Sequence, residues 1–403
     1  MPNSSLCIDV SKASSFATAF TSLNHTFDNT FSFEHSLTGF LKAQSVLLNL
    51  EVASGSKPDV VLEATGNYSK PLVNTFFNLG YNVVVLNPLQ TSHIKSKSIR
   101  KIKTDPIDTL RIAKVYYTND CSYFSPDSSN LEQLKTFSRQ WISLNHTYSE
   151  LQLKYLSLLE LVFPNFKKVF ARTCCPTALK LINAFPSPKL ILSAPINDIL
   201  FILKESKHSN SWCLNKLDCL LNYSRECLAL SLSQDATSLC LKTYIRLLLD
   251  FQESLHHARD QMVSYAQTLP EYHLLTSIPG VGELTAITIL SEIGDIEKFT
   301  NDKQLTAFAG LDASIFQSGS YSSSRNKISK RGTPYLRQAL YQATCAAVSN
   351  RPKGRINPIL AEYYLKKVSE GKPSKVALIA TAHKLLRIIF AMLSKNEPFT
   401  IVN

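Results

Sequence analysis

The chain has 403 residues, enough for two or three domains that each bury a core. Its hydrophobic fraction of 44% is that of a globular protein, no uninterrupted apolar run approaches the ~18 to 20 residues of a membrane span, and MPNSSLCIDV lacks the charged-then-apolar pattern of a signal peptide. A net charge of +12 points to a polyanionic partner, while nine scattered cysteines and nine histidines without ligand spacing argue against structural zinc and for reduced, cytosolic thiols.

The N-terminal region, residues 1–125, reads as α/β. Residues 6–10 (LCIDV) form a short apolar run interrupted by Asp9. A carboxylate in a buried strand is costly unless it is paired or bound to metal. Alternating runs at 16–20 and 26–33 suit two antiparallel strands. Residues 37–50 have helical spacing, and 60–62 form an apolar strand that ends on a second acid, Glu63, before the turn-like Ala64-Thr65-Gly66-Asn67. Residues 71–79 read as a helix stopped by Gly80, and 83–86 as a strand closed by Pro88. This order predicts an α/β sheet whose first three strands are antiparallel.

Residues 95–108 read KSKSIRKIKTDPID: Lys95, Lys97, Arg100, Lys101 and Lys103 without one acid, then Asp105 and Asp108. The cations suit a polyanion and the carboxylates suit Mg²⁺. A solvated basic loop leading into a helix N-terminus, where Asp is favoured anyway, accounts for the stretch alone equally well. Three residues apart, the two aspartates share a helix face. If the strands of Asp9 and Glu63 are neighbours, four carboxylates form a two-metal site, one metal serving the attacking oxygen and the other the leaving oxygen. Each acid alone reads as a surface or capping residue; together, beside the basic arm, they favour metal.

The middle, residues 126–270, contains two strictly periodic segments. Leu134, Phe137, Trp141, Leu144, Tyr148, Leu151, Tyr155, Leu158 and Val162 step by three and four until Pro164. Leu241, Tyr244, Leu248, Phe251, Leu255, Ala258, Met262, Tyr265 and Leu269 do the same until Pro270. A strict 3.5-residue repeat is a coiled-coil seam. It is open whether the two pair as an antiparallel hairpin or with copies in a second chain. Residues 165–237 read as a small helical insertion with no assigned chemistry.

The C-terminal region, residues 271–403, opens with Ile278-Pro279-Gly280-Val281-Gly282 before an apolar helix at 284–293. The turn is either half of a phosphate-meeting helix-hairpin-helix or a plain connector. Residues 317–331 (QSGSYSSSRNKISKR) hold six serines (Ser318, Ser320, Ser322, Ser323, Ser324 and Ser329) and the basic Arg325, Lys327, Lys330 and Arg331. Composition alone makes this a surface loop. The functional reading is a serine nucleophile among cations that neutralise charge developing on a phosphodiester. No histidine lies nearby, so the base is a carboxylate, a metal-bound hydroxide or a group from another domain.

The motifs IDVSK with Asp9, EATGNY with Glu63 and KTDPID with Asp105 and Asp108 resemble the DEDD transposases of insertion-sequence family 110. AGLDASIFQSG, KISKRGTPYLRQAL and GKPSKVALIATAHKLLRII resemble the serine-bearing domain of the same family. The resemblance covers about the first 120 residues and nearly everything from 271 onward. It implies a RuvC-like, ribonuclease-H-type domain over 1–125, a helical coiled-coil linker with an insertion over 126–270, and a mainly helical transposase domain over 271–403. It implies Mg²⁺ on Asp9, Glu63, Asp105 and Asp108, and a nucleophile at Ser318, with Ser320 a lesser candidate. It also implies donor and target double-stranded DNA and a non-coding bridge RNA as partners, in the cytoplasm of a bacterium or archaeon at its nucleoid. The basic arm, Arg325, Lys327, Lys330, Arg331 and Arg337 are then expected to contact phosphates, and a dimer or tetramer to carry a composite site. The alternatives are a RuvC-like metal nuclease in which water attacks, and a non-catalytic nucleic-acid-binding protein.

Overall fold

In the computed structural model of the chain, which describes residues 3–88, 90–91, 105–125, 129–228, 235–313, 317–318, 321–322, 327–352 and 354–400, the early alternating runs pair as a sheet. Strand β1 (Ser5–Val10) runs antiparallel to β2 (Ser14–Ser22), with Leu6 opposite Ala19 and Asp9 opposite Phe16. The strand expected over 26–33 is two pieces, β3 (His25–Thr26) and β4 (Phe31–Glu34), both antiparallel to β2. The break falls at Asp28 and Asn29, residues that favour turns over strands. Strand β5 (Asp59–Glu63) joins β1 in parallel and β6 (Val83–Leu86) joins β5 in parallel, giving the order β3-β2-β1-β5-β6. Parallel neighbours need crossovers, which α1 (Leu37–Ser54) and α2 (Ser69–Asn78) supply.

Strand alternation divides the sheet into two apolar faces. Leu6, Ile8, Val60 and Leu62 pack with Leu47, Leu50, Leu72 and Phe76 of α1 and α2. Cys7, Val61 and Val84 pack on the other face with Ile112, Val115 and Tyr116 of α3 (Asp105–Thr118). Polar bonds fix the C-terminal end of α3. The fully buried Asp59, at the start of β5, accepts hydrogen bonds from Tyr116 (2.5 Å), Tyr123 (3.1 Å) and Asn82 (3.2 Å). The Ser5 hydroxyl, at the start of β1, donates to the Tyr117 hydroxyl at 3.1 Å. Burial raises the Tyr116 phenol, and its bond to the Asp59 carboxylate raises it further. Tyr117 is pushed up to about 12, also chiefly by burial. Both therefore stay protonated at neutral pH. These residues lie in the compact unit Met1–Pro126.

The second unit, Asp127–Asn403, is helical in its core. Helices α4 (Ser129–Val162) and α9 (Asp235–Ala266) carry the two periodic seams. Tyr265 bonds Asn130 at 3.2 Å and Gln252 bonds Tyr148 at 2.6 Å, so partners run in opposite directions and the pair is an antiparallel hairpin within one chain. One end of the pair is closed by α5 (Pro176–Ala184), α6 (Pro188–Ser193), α7 (Ile196–Lys204) and α8 (Asn210–Leu228). There Tyr155, Leu159 and Val162 share a core with Leu241, Ile245 and Leu248. At the other end Leu131, Leu134, Met262 and Ala266 merge with the apolar faces of the C-terminal helices, so one core runs across residue 270.

Those helices are α10 (Pro270–Thr276), α11 (Glu283–Ile293), α12 (Asp302–Ala309), α13 (Pro334–Val348), α14 (Pro358–Ser369) and α15 (Ser374–Lys395). The PGVG turn joins α10 to α11. Gly280 sits at φ 102°, where a Cβ would lie 2.6 Å from Ala347 Cα, and Asn357 donates to the Pro279 carbonyl at 3.2 Å. Packing against α13 therefore accounts for this turn. By length and composition α15 is the one described helix that could cross a membrane. It carries Lys375, Lys384 and Arg387, and it buries Ala377, Leu385, Leu386 and Ile389 as a core helix. All nine cysteines are free thiols.

Candidate active site

Asp9 and Glu63 lie on adjacent parallel strands. The β1–β5 register pairs Cys7 with Val61 and Ile8 with Leu62, so the next step sets Asp9 beside Glu63. Strand alternation puts both on the face of Cys7 and Val61, which α3 covers. Asp105 and Asp108 occupy the first turn of that helix, and Asp108 shares its packing face with Ile112 and Val115. Because Tyr117 is tied to Ser5, α3 runs from the far end of the sheet back over the starts of β1 and β5. The nine residues from Tyr117 back to Asp108 span about 13.5 Å of helix, and the four from Ser5 to Asp9 about 13 Å of strand. The first turn of α3 therefore lies toward the C-terminal end of β1. A Thr18–Thr109 hydroxyl contact of 2.8 Å ties that turn to β2 at the position opposite Cys7.

Asp9 and Glu63 thus stand side by side at the C-terminal end of two parallel strands, with the first turn of α3 on the same sheet face, and that end of the strands is where open α/β sheets place ligands. Asp108 is buried and ion-paired with Arg111 at 2.5 Å, one turn along α3. Glu63 accepts from the buried Thr91 hydroxyl at 2.9 Å. Among the described residues, no three His, Cys, Asp or Glu side chains stand close enough together to hold a metal ion. The side chain of Asp105, and Lys95, Lys97, Arg100, Lys101 and Lys103, lie outside the described residues. The donors that are present, two or three carboxylates, are hard oxygen ligands of the kind Mg²⁺ takes.

In the C-terminal region Ser318 ends β7 (Gln317–Ser318), which pairs antiparallel with β8 (Tyr321–Ser322), Ser318 opposite Tyr321. The Ser318 side chain and Arg325 lie outside the described residues. The base of this hairpin is well tied. Ala313 bridges Ile328, Ser329 N–H bonds the Asp312 carbonyl at 2.8 Å, and the Ser329 hydroxyl bonds the Asp312 carboxylate. Lys330 takes a left-handed φ of 54° and bonds the Gly310 carbonyl at 3.1 Å. Beside it Gly332 is obligatory, since a Cβ there would lie 1.8 Å from the Phe308 carbonyl oxygen. Lys327, Lys330 and Arg331 are exposed, as cations meeting phosphate must be. Arg337 differs from the expected phosphate contact: its Nη1 donates to the Ala309 carbonyl at 3.0 Å and caps the C-terminus of α12, where a cation is favoured.

Sequence reasoning missed a second ionic feature. Glu292 of α11, 1% exposed, accepts from Arg139 Nε at 2.7 Å and Nη2 at 3.1 Å, and from the Thr333 hydroxyl at 2.7 Å. Burial acts to raise this carboxyl, but the bonds from Arg139 and Thr333 and the Arg139 charge outweigh it and hold it below the ordinary value. The bidentate pair locks α4 to α11 and, through Thr333, to the segment that follows the Ser318 hairpin. The one available signal was a lone acid inside the apolar run ITILSEI.

A mixed α/β unit with acids at its strand ends is followed in sequence by a helical unit bearing a basic, serine-rich hairpin, and each unit matches a model of the DEDD-type insertion-sequence transposases. The chain belongs to that family: a DEDD-type family model described as "Transposase" matches residues 6–164, and one described as "Transposase IS116/IS110/IS902 family" matches 272–364. The chain is 30% identical over 193 residues to the pilin gene-inverting protein of Moraxella bovis, covering 46% of this chain and 58% of that protein. It is 31% identical over 157 residues to the transposase for insertion sequence element IS1111A of Coxiella burnetii, covering 38% and 41%. An uncharacterized 43.6 kDa protein of insertion element IS110 from Streptomyces coelicolor matches at 29% over 144 residues, or 35% and 34%. The chain spans 58% of the length of the two pilin gene-inverting relatives and less than half of the two insertion-element relatives.

Proposed function

We propose that the protein is a DNA transposase or recombinase that cuts and rejoins strands through Ser318, assisted by Mg²⁺ held at Asp9, Glu63, Asp105 and Asp108. The observation that carries this is the placement of Asp9 beside Glu63 on the sheet face that α3 covers, inside a region matched to the family. We read the sheet order as RuvC-like, of the ribonuclease-H type. Bound there, Mg²⁺ would supply Lewis-acid stabilisation of charge on the phosphate oxygens.

The protein's own groups do the rest. The Ser318 hydroxyl oxygen attacks phosphorus and loses its proton to a base. The P–O3′ bond breaks, the 3′ oxygen leaves as a hydroxyl, and the 5′ phosphate stays esterified to serine. A new 3′ hydroxyl attacking that ester releases Ser318 and rejoins the strand. Lys327, Lys330 and Arg331, with the arm at 95–103 and Arg325, contact phosphates without reading bases, so binding falls steeply with salt. Sequence choice falls to a bridge RNA pairing with donor and target DNA. The active site is a composite of metal and serine halves within a dimer or tetramer. Self-association has support in the middle of the α4–α9 seam, where Leu144, Leu151 and Leu255 are only half-buried within one chain.

The test uses the full chain, purified with co-expressed flanking RNA, end-labelled DNA and Mg²⁺. A covalent protein–DNA species that survives denaturant is expected with the unaltered protein and lost in Ser318→Ala. Asp9→Asn and Glu63→Gln should abolish cleavage while leaving salt-sensitive DNA binding. Cutting that persists in Ser318→Ala would mean that water attacks, as in a RuvC-like nuclease. Recombination that survives ribonuclease treatment would remove RNA from the reading.

A further inference from the structure

A cleft of about 250 Å³ lies where α4, α11 and α13 meet, at the junction of the helical hairpin with the C-terminal core. Trp141 and Ala339 line it, with Tyr335 as a third apolar surface, and Asn145, Gln338 and Gln342 stand exposed around it. The Trp141 indole N–H is buried and finds no hydrogen-bond partner among the described residues. Tyr335 is held by the guanidinium of Arg139, 5.1 Å from its ring centre, and Arg139 is itself fixed by the buried Glu292. Among the described residues no carboxylate, lysine or arginine lines the cleft, and His146 is the only imidazole.

The chemistry selects a ligand class. With no lining lysine or arginine the cleft is a poor phosphate site, and with no carboxylate a poor cation site. Aromatic surfaces favour a flat ring, while three terminal amides offer paired donors and acceptors at its edge. The orphan indole N–H calls for an acceptor. A planar, neutral ring with a donor–acceptor edge is a nucleobase, and unpaired bases are bound by stacking on aromatic side chains with hydrogen bonds to their edges. We propose that this cleft takes a single unstacked nucleobase of a nucleic acid strand bound to the protein. The site is distinct from the acids of the first unit and from the Ser318 hairpin. The inference rests on the nucleic-acid reading above, and the test separates the two.

The test uses the full chain with Trp212→Phe, so that Trp141 is the only tryptophan. Ten-residue single-stranded oligonucleotides are added in RNA form, in DNA form, and as a DNA backbone of the same length without bases. Base-bearing strands should quench Trp141 emission and bind about tenfold more tightly than the abasic strand, the scale of one base–aromatic stack. Gln342→Ala and Asn145→Ala, both exposed and unconnected to the core, should abolish most of that difference while leaving binding of the abasic strand unchanged. A preference for the RNA form would assign the base to RNA, and equal or reversed preference to DNA. Equal binding of abasic and base-bearing strands, with unaltered Trp141 emission, would overturn the nucleobase site while leaving nucleic-acid binding intact. Absence of salt-sensitive binding by any strand would overturn both.

Discussion

Arg139→Ala isolates one carboxylate inside the second unit. Glu292 has 1% exposure and three short hydrogen bonds, two of them from Arg139, so the substitution leaves a buried charge with only the Thr333 hydroxyl. Removing one partner of a buried pair costs about 3 to 5 kcal/mol. The Arg139 side chain is 43% exposed, and solvent screens part of its charge, which places the expected loss near the lower end, about 3 kcal/mol. Glu292→Gln should cost less, about 1 to 2 kcal/mol, since the amide still accepts from Thr333 and Arg139 can turn to solvent. The double variant Arg139→Ala/Glu292→Gln should be more stable than Arg139→Ala alone, because the orphaned charge is gone. Urea denaturation of all four proteins completes the cycle. Acid adds a signed check. Arg139 and Thr333 hold the Glu292 carboxyl below its ordinary 4.5, so its contribution is present above that value and is lost as pH falls through the lowered one. The gap between the unaltered protein and Glu292→Gln should therefore close only in acid below 4.5. A loss under ~1 kcal/mol in Arg139→Ala, typical of exposed pairs, or no rescue in the double variant, would refute the reasoning.

Tyr116→Phe should destabilise the first unit by about 1 to 3 kcal/mol, as it removes one of three donors from the buried Asp59. Because the Tyr116 phenol is raised from 10.0, its contribution is complete below that pH and lost above it, so alkaline melting should be flatter in the variant. Gly332→Ala forces a methyl against the Phe308 carbonyl oxygen and should cost about 1 to 3 kcal/mol; an unchanged urea midpoint would remove that contact from consideration. Arg111→Gln deprives Asp108 of its counter-ion, so Mg²⁺ should raise the melting temperature more in the variant than in the unaltered protein. Equal shifts would show that Arg111 and the metal do not compete for this carboxylate.

Features carried by local pattern were legible in the sequence. Asp9 and Glu63 stood out because a carboxylate conflicts with an apolar strand, and the heptad steps marked α4 and α9 as long helices. Pairing was less accessible. The seam is compatible with one chain or two, and contacts such as Gln252 with Tyr148, over a hundred positions apart, choose the antiparallel hairpin. The β3–β4 break was readable from Asp28 and Asn29, turn formers set within an otherwise alternating run. Arg337 illustrates the opposite difficulty. In a basic stretch its charge looks available for phosphate, yet the turn made by Gly310 and Gly332 brings the end of α12 within its reach. Arg139 and Glu292 are 153 positions apart and share no periodicity, so only tertiary packing brings them together.

The α4–α9 hairpin also measures distance. From Leu134, buried in the C-terminal core, to Leu159, buried in the cap at the far end, α4 advances 25 residues. At the rise of an α-helix that is about 37 Å, close to the ~34 to 36 Å of one turn of B-form DNA. A duplex lying along the hairpin would present the same groove to both ends, with the cap acting as a stop one turn from the core. Inserting or deleting seven residues in both helices would keep the seam but shift that stop by about 10 Å, moving it out of phase with the groove.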